Sequence, residues 1–296
     1  MNVYPASLKS DFLLFSPDII GLSLVFIIGL ALGSFATALS YRIPRGIAWG
    51  GVQGGSGSGS ADKAVHSQCP SCGTRLQLRD LVPFFSWLFL KGRCRHCGHK
   101  ISFRYPLIEL FCAILCVFPV MYGGWSPGAL FLIMAAPFLV ALLVIDLEYK
   151  RLPDQLILIL LVLGVFFAIS QKLLLLASDR NFADYFFPII TDLGAAMLSG
   201  GIYAFFAYLL GRMTSLMVGR SSLGMGDVKF FAISGVWLSI SLLPVYLILA
   251  GALGLVFGVL WRFFKKEQAF PFGPAIIMSM YFCVIFGDYF KSLFML

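Results

Sequence analysis

The chain alternates long apolar runs with short polar breaks over most of its length. A helix needs about 20 apolar residues, each rising 1.5 Å, to cross a hydrocarbon layer about 30 Å thick. Proline and glycine mark many of the breaks, as is typical of helix ends. Eight runs approach the required length, with 227–263 divided into one short and one long span; they cover 19–42, 105–122, 128–147, 154–176, 187–212, 227–241, 243–263 and 272–293.

This pattern predicts an all-α, polytopic membrane protein with about eight transmembrane helices. The composition agrees, because 59% of the residues are hydrophobic and 12% are charged, whereas soluble domains average roughly 45–50% apolar and about 25% charged residues. A soluble globular enzyme, a disordered chain and a secreted disulfide scaffold are thereby excluded. Charged residues within 1–18 argue against a cleavable signal there, so we expect none.

One long polar segment, 44–103, interrupts the apolar runs and concentrates basic residues. It holds eight of the 22 lysines and arginines. Basic loops stay on the cytoplasmic side of a membrane, so we expect this segment inside, both termini outside, and no nucleic-acid partner. The chain then divides into a first membrane helix (1–43), a cytoplasmic insertion between helices 1 and 2 (44–104) and a membrane core (105–296).

Two Cys-x2-Cys pairs in the insertion have a spacing typical of a tetrahedral zinc site. Each pair supplies two thiolates from one tight turn, and Gly73 and Gly98 follow the pairs, where a positive φ is often needed. In a reducing cytoplasm, metal ligation is favoured over two disulfides, with a redox pair as the alternative. Four thiolates leave no open position for water, so we expect a structural Zn²⁺ bound by Cys69, Cys72, Cys94 and Cys97.

Two other stretches of the insertion carry no predicted chemistry. Residues 50–60 are mostly glycine and serine, which is typical of a flexible coil and fits either a natural loop or an engineered splice. Residues 81–88 are mainly apolar and aromatic. They either pack on the zinc module or lie at the membrane interface.

Two aspartates stand at the ends of predicted membrane helices, where an ionisable side chain suggests a function. Asp146 ends the third apolar run and Asp227 opens the sixth, and the predicted topology brings both to the cytoplasmic face. Two close carboxylates share a proton, so one can act as base and the other as acid in peptide hydrolysis. Gly224 and Gly226 would let an extended peptide approach the acids, and Asp154 is a candidate supporting residue.

Each acid also has a simpler interpretation as a helix cap. An aspartate at a helix N-terminus stabilises the helix, and this explanation applies equally well to Asp227. Asp146 lies at a helix C-terminus, where the dipole disfavours an anion, so capping explains it less well. All three histidines lie in the insertion, which excludes a Ser-His-Asp triad within the membrane helices and a His-Glu-x-x-His site.

Several motifs, in order along the chain, resemble the bifunctional type IV prepilin peptidases, which are GxGD aspartyl proteases and N-methyltransferases of the bacterial inner membrane. The resemblance implies that Asp146 and Asp227 are the catalytic pair. It also implies cleavage of prepilins or pseudopilins after a short basic leader, at the cytoplasmic membrane face. Besides the Cys pairs, the matching segments are 33–35, 41–44, 91–94, 101–110, 146–154, 224–229 and 271–274.

The resemblance further implies methylation of the new N-terminus with S-adenosylmethionine, an activity tied to the insertion. One departure is Ala36-Thr37-Ala38, where the family commonly has an asparagine. Two other functions stay open: a membrane assembly scaffold that binds partners through the zinc module, and a transporter that uses the acids as a proton relay. The relay is disfavoured because both acids lie near span ends. Four residues match the methyltransferase-associated segment of the family: Lys91, Gly92, Tyr105 and Glu109.

Overall fold

The computed structural model describes residues 18–47, 69, 71–176, 183–219, 223–265 and 270–294. The start of the chain, where we expected no signal, and the glycine- and serine-rich stretch at 50–60 lie outside the described residues. Within those residues the structure is α-helical, with short 3-10 turns and an isolated β-bridge that joins Arg93 to Lys100.

Eight of the nine α-helices in the described residues correspond one to one to the predicted apolar runs, and the ninth, α2, is a single short helix within the polar insertion. In chain order they are α1 (Ile19–Arg42), α2 (Phe85–Phe89), α3 (Arg104–Gly123), α4 (Pro127–Tyr149), α5 (Asp154–Leu176), α6 (Ala183–Val218), α7 (Met225–Trp237), α8 (Leu243–Lys265) and α9 (Gly273–Phe294).

Capping residues explain where α1 begins and where α4 begins and ends. Asp18 accepts the backbone N–H of Gly21 and so starts α1. Ser126 caps α4 in the same way, with Pro127 in the first helical turn, where its missing N–H costs nothing. Lys150 ends α4 in a left-handed conformation with φ of 53°.

The all-helical membrane architecture is confirmed, whereas the count of eight spans is not. Within the described residues, six helices are long and apolar enough to cross a membrane, namely α1, α3, α4, α6, α8 and α9. In α5 the side chains are described over Asp154–Ser170, an apolar segment that is shorter than a span. Helix α7 has 13 residues, which reach about 20 Å at 1.5 Å each and fall short of a bilayer of about 30 Å.

Glycines bring α1 and α3 into close contact. A Cβ atom on Gly29 would lie 2.6 Å from the Cα atom of Ala113, and one on Gly33 would lie 2.5 Å from the Cα atom of Glu109. Two glycines four positions apart form the small-residue face that lets membrane helices approach each other. This contact holds the two helices that flank the insertion side by side.

Hydrogen bonds with α5 and α6 hold the C-terminal end of the short helix α7. Ser199 and Tyr203 of α6 donate hydrogen bonds of 3.1 Å to the carbonyl oxygens of Leu238 and Ser239, just beyond α7. Trp237 donates through Nε1 to the carbonyl of Leu160 at 2.9 Å. These bonds pair polar groups that lipid could not satisfy, so α7 can end inside the protein.

Candidate active site and metal centre

Asp146 and Asp227 line one cleft, although they belong to different helices, α4 and α7. The cleft has a volume of about 340 Å³. The structure therefore brings together the two acids that the sequence singled out; the cleft is lined by Asp146, Lys150, Arg151, Leu152, Asp154, Gly224, Met225, Gly226, Asp227 and Lys229.

The N-terminus of α9 holds the carboxylate of Asp146. Asp146 is 5% exposed, and its Oδ2 accepts the backbone N–H of Gly273 at 2.8 Å. A Cβ atom on Gly273 would lie 2.5 Å from that oxygen, so any side chain at this position would have to displace the carboxylate. The dipole at the C-terminus of α4 disfavours an anion, and the N–H of Gly273 at the start of α9 offsets this effect.

Asp227 caps the helix on which it lies. It sits in the first turn of α7, where its Oδ2 accepts the backbone N–H of Gly224 at 3.1 Å. The capping interpretation of Asp227 thus describes one of its contacts correctly. A carboxylate has two oxygens with about four lone-pair sites, so a cap through one oxygen leaves capacity for a water or a substrate.

The candidate supporting residues surround the two acids. Gly226 packs against Leu152, since a Cβ atom on Gly226 would lie 3.2 Å from the Cβ atom of Leu152. Asp154 lies in the first turn of α5, where the sequence placed it. Its Oδ1 is 2.7 Å from the Nζ atom of Lys229, and both side chains are largely exposed at the rim of the cleft.

The four cysteines of the insertion form a compact cluster that could hold a metal ion. Their Sγ atoms all lie within 4.8 Å of one another. The Sγ atoms of Cys69 and Cys97 are 3.8 Å apart, which is the separation expected of tetrahedral ligands with Zn–S bonds of about 2.3 Å. The sulfur chemistry and the geometry therefore both fit Zn²⁺.

The two cysteine turns have the same backbone conformation. Gly73 donates its N–H to the carbonyl of Cys69 and Gly98 donates to that of Cys94, each at 2.9 Å. The φ angles of the two glycines are 67° and 68°. The positive φ that the sequence predicted at both positions is confirmed.

Hydrogen bonds favour the thiolate form that metal binding requires at Cys72 and Cys94, whereas burial and the three neighbouring thiols raise the pKa of Cys97 to about 11. Contacts with the side chain and backbone of Thr74 lower the pKa of Cys72 to about 6. The backbone N–H groups of Cys97 and His96 lower the pKa of Cys94. Beyond the cluster, Arg95 contacts Asp80 at 2.8 Å and holds the pKa of that carboxyl below its usual value.

The four methyltransferase-associated residues do not form an open binding site. Gly92 has a φ of 67° and packs under the ring of Trp87, which fills the space beside it. Glu109 is buried, and its Oε2 accepts the backbone N–H of Phe84 at 2.6 Å. Lys91 and Tyr105 are exposed. Neighbours thus occupy Gly92 and Glu109, which leaves Lys91 and Tyr105 as the exposed members of the four.

Sequence reasoning missed two residues that organise this region. Gly273 was recognised only as part of a motif, although it donates to Asp146. Arg104 bridges the start of α3 to the end of α4, since its Nη2 lies 2.9 Å from Oε1 of Glu148 and 3.4 Å from Oγ of Ser40. A glycine directly before Pro274 was the sequence signal available for the contact between Gly273 and Asp146. No sequence signal indicated the contacts of Arg104.

Two protein-family models match the sequence of this chain. The model of the bacterial peptidase A24 N-terminal domain matches residues 27–122. The model of the type IV leader peptidase family matches residues 131–259. The boundary between them falls near the start of α4, so the cysteine cluster lies in the first match and both cleft acids lie in the second.

Named relatives match nearly the whole chain, although no solved structure matches it. A prepilin leader peptidase/N-methyltransferase of Aeromonas salmonicida is 32% identical over 283 residues, covering 90% of this chain and 91% of the relative. One of Neisseria gonorrhoeae is 32% identical over 281 residues, covering 91% of each. The type 4 prepilin-like proteins leader peptide-processing enzyme of Escherichia coli is 30% identical, covering 85% and 88%. The chain belongs to the type IV leader peptidase family.

Proposed function

We propose that this chain cleaves the basic leader from type IV prepilins or type II secretion pseudopilins at the cytoplasmic face of the bacterial inner membrane. The names of the relatives support the substrate class. The observation that carries the proposal is that Asp146 and Asp227, on separate helices, line the same cleft. We assign cleavage to the membrane core, 105–296.

The two acids divide the chemistry of peptide hydrolysis between them. The ionised carboxylate removes a proton from water, whose oxygen attacks the scissile carbonyl carbon while the protonated carboxyl donates to the carbonyl oxygen. The resulting diol collapses as the amine leaves with a proton from the acid that served as base. Gly273 and Gly224 donate to one oxygen of each acid and so orient both. The pair titrates as a unit, so neither acid is assigned as the first base.

The charges around the cleft support a cytoplasmic location. Lys150, Arg151 and Lys229 all line it, and basic residues concentrate on the inner side of membrane proteins. The basic leader of a prepilin would stay in the cytoplasm against anionic headgroups, while its apolar helix approaches from the lipid. The scissile bond between them would then lie level with the two acids.

We propose methylation of the new N-terminus as the second activity, on the names of the relatives, and associate it with the insertion at 44–104. Zinc in the cysteine cluster has a structural role in this proposal. Four thiolates complete its tetrahedral shell, which leaves no position for a reacting water. Binding the metal would fold a polar module that is too small to build a hydrophobic core of its own.

The test uses the purified full chain in lipid with a prepilin precursor, read by mass spectrometry with and without S-adenosylmethionine. We expect the loss of a leader, and one added methyl group when the cofactor is present. Asp146→Asn and Asp227→Asn should each lower cleavage at least about a hundredfold, the contribution of general acid–base catalysis. Asp288→Asn, at an exposed site of α9 that pairs with Lys291, is the matched control.

Each result separates the peptidase from the membrane scaffold. A scaffold would assemble its partners normally with both cleft acids replaced, because there they serve only as helix caps. An intact precursor with the wild-type chain, or full cleavage by Asp146→Asn and Asp227→Asn, would overturn the peptidase proposal. Cleavage without added methyl would overturn only the second activity.

A further inference from the structure

The short helix α2 presents apolar side chains away from the protein. Phe89 is 80% exposed and Leu88 is 52% exposed, and Phe85 is also exposed. Large apolar side chains grouped on one short element are unusual on a surface that faces water, and they mark a site of contact with lipid or protein. The position of α2 relative to the membrane and the charges of the residues around it distinguish lipid from a protein partner.

Contacts with α3 place α2 at the level of the membrane. Phe84, directly before α2, donates its N–H to Oε2 of Glu109 at 2.6 Å. Glu109 lies five residues inside α3, which is about 7.5 Å beyond the start of that helix. Since α3 is one of the six helices able to cross a membrane, the first turn of α2 lies beside the part of α3 that enters the lipid.

The indole of Trp87 fixes the orientation of α2. Its Nε1 donates to the carbonyl of Ile101 at 3.1 Å, and its ring packs edge-on against Phe103, with centroids 5.3 Å apart. Trp87 thus faces α3, and Leu88 and Phe89 are left exposed. Phe103 and Leu107, at the start of α3, are exposed as well. The outward apolar surface therefore continues from α2 onto the lipid-facing side of α3.

Basic residues follow this apolar surface in the chain. Lys91 and Arg93 come directly after α2, and Lys100 pairs with Arg93 through the backbone bridge; all three are exposed. Lysine and arginine beside an apolar interfacial element attract anionic lipid headgroups, each contributing favourably within a Debye length of the surface. A patch that is apolar at its centre and basic at its edge matches the headgroup boundary of an anionic membrane.

We propose that α2 is a membrane-interface anchor, in which Leu88 and Phe89 insert into the lipid while Lys91 and Arg93 contact anionic headgroups. The partner is the surface of the bilayer that the protein itself spans. The anchor would hold the metal-binding module flat against the membrane, through Trp87 and Glu109 on one side and lipid on the other. This inference goes beyond leader cleavage and does not depend on it.

The test places a photoreactive benzophenone amino acid at single positions of the full chain. The protein is reconstituted in nanodiscs of phosphatidylcholine and phosphatidylglycerol, irradiated, and analysed for adducts by mass spectrometry. Position 89 is the main probe, position 88 is the second, and the exposed polar Gln77 of the same module is the matched control. Zinc content is measured for each variant to verify that the module is folded. If the label at position 89 releases the metal, the result at position 88 is used in its place.

We expect lipid adducts at position 89 at least about tenfold above those at position 77, the preference that one aromatic side chain has for lipid over water. Phosphatidylglycerol should be captured above its share of the lipid, and Lys91→Gln with Arg93→Gln should abolish that excess. Equal lipid capture at 89 and 77, or capture of a second protein chain in place of lipid, would overturn the anchor. Capture of the two lipids in proportion to their abundance would overturn the role of the basic residues.

Discussion

Replacing Gly273 with alanine should impair cleavage by displacing one carboxylate, without unfolding the protein. The added Cβ atom would lie 2.5 Å from Oδ2 and 2.8 Å from Cγ of Asp146, closer than the 3.0 Å below which real Cβ atoms essentially never come. The carboxylate must therefore move by about 0.5 Å, which is the tolerance of a catalytic arrangement. The movement also stretches or breaks the 2.8 Å bond from the Gly273 N–H.

The magnitude follows from the displacement. A misplacement of about 1 Å costs on the order of a hundredfold in rate, so a movement of about half that should cost between about tenfold and a hundredfold. The loss should appear in kcat, because Gly273 contacts the acid and not the peptide. The assay is a time course of prepilin cleavage by the lipid-reconstituted chain at several substrate concentrations.

Gly251→Ala provides the matched control, because a Cβ atom at that position of α8 would meet nothing within 4 Å. Melting temperatures of both variants are measured in parallel, since Gly273 also opens α9 before Pro274. A kcat of Gly273→Ala equal to that of wild type would refute the claim that this N–H positions the acid. An equal loss of activity in the control variant, Gly251→Ala, would refute the claim as well.

Three further predictions concern the zinc site of the insertion, the contact of the insertion with α3, and the packing of α1 against α3. Cys72→Ser should weaken zinc binding at least about a hundredfold, since even partners outside the ligand shell contribute about 10–100-fold. Glu109→Leu should lower stability by about 1–3 kcal/mol, because the part-buried N–H of Phe84 then loses its charged acceptor. Gly33→Ala should cost about 1–3 kcal/mol, because the new methyl group meets the backbone of α3.

Each of these predictions has its own measurement and control. Zinc content after dialysis against a chelator tests the first, with Cys283→Ala, a change at a buried cysteine of α9, expected to retain the metal. Thermal unfolding in detergent tests the other two. Glu109→Gln keeps an acceptor for Phe84 and should melt near wild type, and Gly201→Ala meets nothing within 4 Å and should not destabilise. A Glu109→Leu variant as stable as Glu109→Gln would contradict the role given to the carboxylate.

The helices could be predicted because lipid imposes a simple rule on the chain. A segment that crosses the bilayer must be apolar over about 20 residues, so hydropathy alone gives its position. The rule fails at α7, which ends at Trp237 although the apolar run continues to 241. Ser199 and Tyr203 of α6 accommodate that ending, and no property of residues 227–241 predicts a contact with α6.

The candidate sites show the same division between local and distant contacts. The cysteine turns were predictable down to the φ of Gly73 and Gly98, because each turn is made by consecutive residues. Asp146 and Asp227 were both recognised, since a charge at the end of an apolar run is conspicuous. The partner of Asp146 was not, because Gly273 lies far along the chain and contributes only a backbone N–H.

The bond from Gly273 to Asp146 has a consequence for the biogenesis of the protein. Asp146 precedes Gly273 by 127 residues, so α4 is synthesised well before the N–H that binds its carboxylate. A chain that ends before α9 lacks this N–H, so its Asp146 carboxylate is without the hydrogen bond that holds it in the folded protein. In the proposed mechanism, a nascent or truncated product therefore lacks one of its two oriented acids.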